Sequence, residues 1–248
     1  MSITYVGAGT AAHGNNVSVT PTLHASSTTG DLLLVFDGER GTSATCADSL
    51  AEYTQLGSVT AASHTATVLA RAHDGSEGDP QINITAGTVT SHSAVAVTIR
   101  GAVTTLTGSP AACLDGAIQT QSNGGTDLTI EYPALTVTNA NCIVFLFVKL
   151  NDDLNGGSFD TPAGFTPIGP WDTTLGADHA FQIYYQIQTT ATNISAGTVT
   201  ASGGTVAAVS QAMIFAIKDS AAAGHPAIAR TRGIPGMNTI ASPFGRGW

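Results

Sequence analysis

The sequence predicts an all-β protein made of two tandem β-sandwich modules, jelly-roll-like in type, followed by an extended C-terminal arm. Three observations carry this. The 248 residues include 36 threonines and 28 glycines but only 6% aromatics. Threonine suits a pleated sheet and glycine suits turns, the balance of a chain with many short strands. Apolar residues either alternate with polar ones or run unbroken for five or six positions, the patterns of half-buried and fully buried strands. Finally, a set of segments recurs in the same order some 110 residues further on.

The recurrence organises the chain, and a period of this kind takes precedence over any single motif. Ile84-Thr85-Ala86-Gly87-Thr88-Val89-Thr90 returns as Ile194-Ser195-Ala196-Gly197-Thr198-Val199-Thr200, six of seven identical. Ala51 to Gly57 returns as Ala163 to Gly169, the run Leu32 to Phe36 aligns with Ile143 to Phe147, and Pro21-Thr22-Leu23 aligns with Pro133-Ala134-Leu135. Near-constant spacing of four segments points to two copies of one module.

In the first copy, Val17 and Val19 alternate with polar neighbours, and 32–36 reads as a strand buried on two faces. Asp37 to Asp48 reads as a turn-rich loop and Ala51 to Gly57 as a loop or corner. Residues 66–71, 81–85 and 94–100 read as strands, divided by the turn signals Asp74-Gly75, Glu77-Gly78 and Asp79-Pro80. The second copy repeats this with Leu128/Ile130, 143–148, Phe181 to Tyr185, 193–200 and Ala212 to Ile217. Roughly eight short strands in about 100 residues make a two-sheet sandwich, with a jelly roll as the first topology and an immunoglobulin-like one as the second. The expected organisation is a first sandwich at 1–101, a Gly/Ser/Thr/Ala-rich linker at 102–127, a second sandwich at 128–219 and an arm at 220–248.

The arm holds Pro226, Pro235 and Pro243 and too few apolar residues to fold alone. It reads first as a segment lying on a neighbouring subunit and second as a tail folded back over its own sandwich. Phe244 and Trp248 are its apolar anchors, and Arg230, Arg232 and Arg246 can fork to carboxylates. These five are the partner-binding candidates.

Charge and cysteine usage exclude some classes of partner. The net charge is -9, and Lys149 and Lys218 are the only lysines, so direct nucleic-acid binding is not expected. Apolar runs such as 32–36 and 143–148 fall far short of the roughly 20 residues of a membrane helix. Met1 to Gly9 lacks the basic and apolar regions of a secretory signal. Cys46, Cys113 and Cys142 form an odd set without a CxxC pair and read as small hydrophobes in a chain made in a reducing cytoplasm.

No reaction emerges from the motifs, and no cofactor or metal is expected. The histidines at 13, 24, 64, 73, 92, 179 and 225 lack HxH or HExxH spacing. Asp74/Glu77/Asp79 and Asp152/Asp153 with Asn151 and Asn155 offer hard oxygens of the kind calcium takes. Neither loop matches the calcium-loop pattern, and acidic residues also stabilise turns by themselves. A glycosidase needs two facing carboxylates, and the four glutamates, 39, 52, 77 and 131, give that reading little support. Trp171, in Gly169-Pro170-Trp171-Asp172, reads as a corner tryptophan capping a sandwich ahead of a sugar-stacking residue.

Thr28-Thr29-Gly30-Asp31-Leu32-Leu33-Leu34-Val35, Ala163 to Gly169 and Ala94 to Gly101 together resemble β-sandwich virion proteins of tailed bacteriophages. In that family a Gly-Asp-led apolar run is followed by P-x-G-[WF]-T, a strand, a Gly-Thr and a closing apolar strand. The resemblance covers roughly 17–101 and 128–219 and omits the arm. The first copy departs from it at Ala51-Glu52-Tyr53, and the second has Ala163 before its glycine. Related sandwiches serve as capsid cement or decoration proteins, tail or baseplate components, and adhesin domains. The resemblance implies a non-enzymatic head decoration protein in the virion, bound to the major capsid protein and to copies of itself, with a trimer among the options. The alternative is a tail or baseplate protein with a glycan-binding role.

Overall fold

The computed structural model describes residues 2–15, 17–48, 52–61, 64–124, 128–174, 178–204 and 209–221, with the side chains of 42–48 and 86 outside that description. The described residues are strands and loops throughout, with no helix. The first half carries β1 (Thr4–Ala8), β2 (Ala12–Gly14), β3 (Ser18–Val19), β4 (Leu32–Asp48), β5 (Thr54–Ala61), β6 (His64–Ala72) and β7 (Ile82–Arg100). The second carries β8 (Gln119–Asn123), β9 (Thr129–Tyr132), β10 (Cys142–Leu150), β11 (Thr166–Thr173), β12 (His179–Gln188), β13 (Gly197–Thr200) and β14 (Ser210–Lys218).

All pairings between these strands are antiparallel. The first sheet runs β1-β7-β4-β6-β5, with β2 and β3 also on β7. The second runs β8-β14-β10-β12-β11, read in the same sense. Taken along the chain, the two orders correspond strand for strand. The remaining strands, β9 and β13, form a two-stranded sheet.

Alternation along the central strands explains why 32–36 and 143–148 are apolar at every position, because successive side chains leave on opposite faces. Leu32, Leu34 and Phe36 join Val68, Val97 and Ile99 from the first sheet and Ile143, Phe145, Phe147, Phe181 and Phe215 from the second in one core between the sheets. Leu33 and Val35 face the other way, onto Val19, Tyr53 and Ile82. Val144, Leu146 and Val148 likewise face outward, onto Ile130, Leu135 and Val199 under the two-stranded sheet. Each half thus covers its own outer face, and the largest core is the one the halves share. Phe36 sits at its centre, with ring centroids 5.6, 5.4 and 6.2 Å from Phe145, Phe147 and Phe215. The sheet margins also meet: Tyr5 of β1 stacks on Tyr185 of β12 at 4.6 Å. At the opposite margin, a Cβ on Gly57 of β5 would stand 2.9 Å from Ile118, just before β8.

Several expectations change. Residues 37–48, expected as a loop, continue β4 and pair with β7 through register shifts at Arg40/Gly41 and beyond. Gly41 permits this, since a Cβ there would meet the Thr88 carbonyl oxygen at 1.8 Å. Residues 81–85 and 94–100 are therefore one strand, β7. The corner segments instead lead into β5 and β11, the edge strands of the two sheets. The 102–127 segment is more than a connector. Ala111, Cys113 and Leu114 enter the shared core, and β8 adds an edge strand to β14.

Phe36→Ala should cost about 3–5 kcal/mol. Because Phe36 touches three rings of the other half, urea denaturation should show one lowered transition, alike by circular dichroism and tryptophan fluorescence. Two separated transitions, with the second half melting at its original midpoint, would show that the halves fold independently.

Candidate functional site

Beyond Phe36 and Phe147 the layer between the sheets turns polar. Period two carries the same face onward: Phe145 and Phe147 are followed by Lys149 and Asn151 on the second sheet, and Phe215 and Met213 are preceded by Gln211. From the first sheet come Gly38 and Arg40 of β4, His64 of β6, and Ser91 and Ser93 of β7; β12 adds His179.

Lys149 lies across Gly38, where a Cβ would stand 3.1 Å from its Cδ. It is 1% exposed, and its Nζ has no hydrogen-bond partner among the described residues. Burial pushes its pKa down to about 7, against the pull of Glu39 and Asp37, and Arg40 lowers it further. His179 is fully buried, its Nδ1 2.5 Å from Ser91 Oγ. Burial first, then Lys149, holds it well below the ordinary histidine range. His64 bonds through Nε2 to the Asn151 amide, and burial with the charge of Lys149 lowers it to about 3. Gln211 donates to the carbonyls of Val59 at 3.1 Å and His64 at 2.7 Å. At the rim, Arg40 donates to the Asp178 carbonyl at 2.8 Å, and His13 Nδ1 lies 2.8 Å from Ser93 Oγ.

The opposite face of the first sheet holds a second buried polar group, Asp37 and His92, 2.6 Å apart. Glu39 follows on that face, its carboxyl raised to about 7, chiefly by burial. A neutral amine at Lys149 is a nucleophile in principle. With Asp37, Glu39, His92, Lys149 and His179 at most 1% exposed, this chemistry is closed off from a substrate in solution.

The carboxylate loops resolve differently in the two halves. Glu77 is consumed by Arg71 at 3.1 Å, His73 at 2.5 Å and the amides of Asp74 and Gly75. Asp79 accepts from the Leu23 amide at 2.8 Å. These residues fasten turns. Asp152 and Asp153 are joined by Asp178, with ligand atoms all within 4.8 Å of one another. Asp172 stands nearby, accepting from the Leu154 amide at 3.2 Å. Burial first, then neighbouring carboxylates, raises Asp153 and Asp172 above the ordinary aspartate range. Asn151, grouped with this loop in sequence, turns instead to His64.

Trp171 packs on Phe181 at 5.2 Å against the shared core, as a corner tryptophan does. Cys113 and Cys142 are free and buried, their thiols pushed up to about 11 by burial. His24 accepts from the Ser26 amide. The side chain of Cys46, His225, and the arm candidates Arg230, Arg232, Phe244, Arg246 and Trp248 lie outside the described residues. Comparison with family models, curated proteins and solved structures finds no match.

Lys149→Met keeps an apolar stem and removes a buried amine without a hydrogen-bond partner among the described residues, so it should stabilise the fold by about 1–3 kcal/mol. The pH dependence has a definite sign. An amine with a folded value of about 7 and an ordinary value of 10.5 is protonated in the unfolded chain and neutral in the fold between those limits, so stability rises with pH. The buried thiols, raised from 9.0, act oppositely above pH 9. Glu39, raised from 4.5 to about 7, acts oppositely below pH 7. From pH 7 to 9, then, the wild-type unfolding midpoint should climb and that of Lys149→Met should not.

Asp153→Asn should raise stability by about 0.5–1 kcal/mol at low ionic strength, an effect that salt erodes. Calcium should leave the wild-type midpoint unchanged. A calcium-dependent rise that the variant loses would make the cluster a cation site instead.

Proposed function

We propose that the protein is a structural subunit of a bacteriophage particle: a head decoration or cement protein seated on the outer capsid. The observation that carries the reading is where the reactive side chains go. Lys149, His179, Asp37 and His92 are sealed inside an all-β fold, out of reach of a substrate. That is the use a scaffold makes of polar chemistry, and it accords with the motifs at 28–35, 94–101 and 163–169.

Two further features support an assembly role. Sequence and strand order both divide the chain into corresponding halves, a repetition that suits a subunit of an assembly of repeating geometry. A charged fraction of 10%, against roughly 25% for soluble domains, suits surfaces that are covered by neighbours. On this reading the partners are the major capsid protein and further copies of the chain, which is made in the host cytoplasm and works in the virion.

Antiserum against the purified protein, applied with gold label to particles of the phage that encodes it, tests the reading. Label should fall on heads. Label confined to tails would replace the decoration role with a tail or baseplate role. Absence of the chain from washed particles would remove the virion assignment altogether.

A further inference from the structure

In the second half, the end of β12 and the segment that follows it to Ala196 enclose a groove of about 470 Å³ floored by Tyr132 and Phe165. That volume lies in the range of small-molecule sites. Its walls carry amides and hydroxyls, among them Gln186, Gln188, Thr190 and Thr192, and no charged side chain among the described residues lines it, although the chain as a whole has a net charge of -9. Gln188 is 6% exposed, and its Oε1 has no hydrogen-bond partner among the described residues. That oxygen is sealed from solvent, so the polar groups the groove offers a ligand are the Gln186 amide and the hydroxyls of Thr190 and Thr192.

The corresponding place in the first half shows that the architecture does not require such a groove. There the end of β6 and the turn after it are filled by Arg71, His73 and Glu77, which bond to one another and to backbone amides. The same station in the strand order is closed by ion pairs in one half and left open, uncharged and amide-lined in the other.

We infer that the groove binds a neutral saccharide, one or two sugar units of an uncharged glycan. Amide side chains offer a donor and an acceptor on one rigid group, which matches the adjacent hydroxyls of a sugar ring. The ring's C–H face has Tyr132 and Phe165 to lie on. Without a cation in its walls the groove has nothing to pair with a phosphate, sulfate or acidic sugar. Without a carboxylate it has nothing to hold a basic ligand. This inference is independent of the particle assignment and stands or falls separately from it.

Saturation-transfer NMR on the full chain with methyl glycosides of glucose, galactose, mannose, N-acetylglucosamine and N-acetylgalactosamine tests it. Sialic acid and glucuronic acid serve as charged controls, and an uncharged Ser/Thr/Ala peptide as a competitor of another class. At least one neutral glycoside should bind saturably with a Kd of about 1 mM, as expected for so small a ligand. Gln186→Ala, at a half-buried position, should weaken binding at least about tenfold, a loss of about 1.4 kcal/mol, with an unchanged thermal midpoint. Ser195→Trp, which fills the groove, should abolish binding. The inference is overturned if no neutral glycoside saturates, if an acidic sugar or the peptide binds while the neutral ones do not, or if both variants bind like the wild type.

Discussion

The structure depends on the contact between two sheet faces. Neither central strand has a face that tolerates water: β4 presents Leu32, Leu34 and Phe36 on one side and Leu33 and Val35 on the other, and β10 does the same with Ile143, Phe145 and Phe147 against Val144, Leu146 and Val148. Burying one such side chain contributes about 1.5–3 kcal/mol. The thin outer layers of each half can cover only one face of its main sheet. The second face of each is left for the other half, so the two copies of the pattern are bound together more by their inner faces than by the chain that joins them.

The polar end of that contact sets its alignment. Lys149 fits because Gly38 has no side chain, and His179 is answered by Ser91. Sliding one sheet by two residues would keep every side chain on its face. It would, however, bring Lys149 from Gly38 onto Phe36 and take His179 from its hydroxyl. An apolar layer alone would tolerate several such registers. The buried lysine and histidines destabilise the fold through desolvation, and in return they make the alternative registers worse.

Much of this was legible in the sequence. The unbroken runs at 32–36, 143–148 and 212–217 announced strands covered on both sides, and the shorter apolar patterns located β6, β9 and β12. What covers the second face was not legible, because a run records burial without naming its partner. Residues 37–48 hid a strand for a related reason: Gly-Glu-Arg-Gly-Thr-Ser-Ala-Thr has no apolar alternation, and its strand state comes from pairing with β7. Gln119 to Asn123 is polar throughout because β8 is an edge with little to bury. The polar layer did leave a signal, since Phe145, Phe147, Lys149 and Asn151 continue one period of two. Reading Lys149 as a surface charge at a strand end conceals it.

The halves differ most where their sequences agree best. Gly-Thr-Val-Thr stands at 87–90 and again at 197–200, yet Thr88 pairs with Thr42 of β4 while Val199 pairs with Ile130 of β9. Identical local sequence takes whichever partner the surrounding fold supplies, because strand preference is set largely by neighbours. In the first half the partner is the 17-residue β4, which reaches far beyond the shared core. In the second half β10 stops after nine residues, and the same sequence forms a small separate sheet with β9. The uncharged groove lies at the other end of that sheet, where Gln188 of β12 pairs with Cys142 at the start of β10 and the segment that follows returns beside Tyr132. A shared strand order accounts for how the halves hold each other; what distinguishes the protein's surface arises where one half stopped following the other.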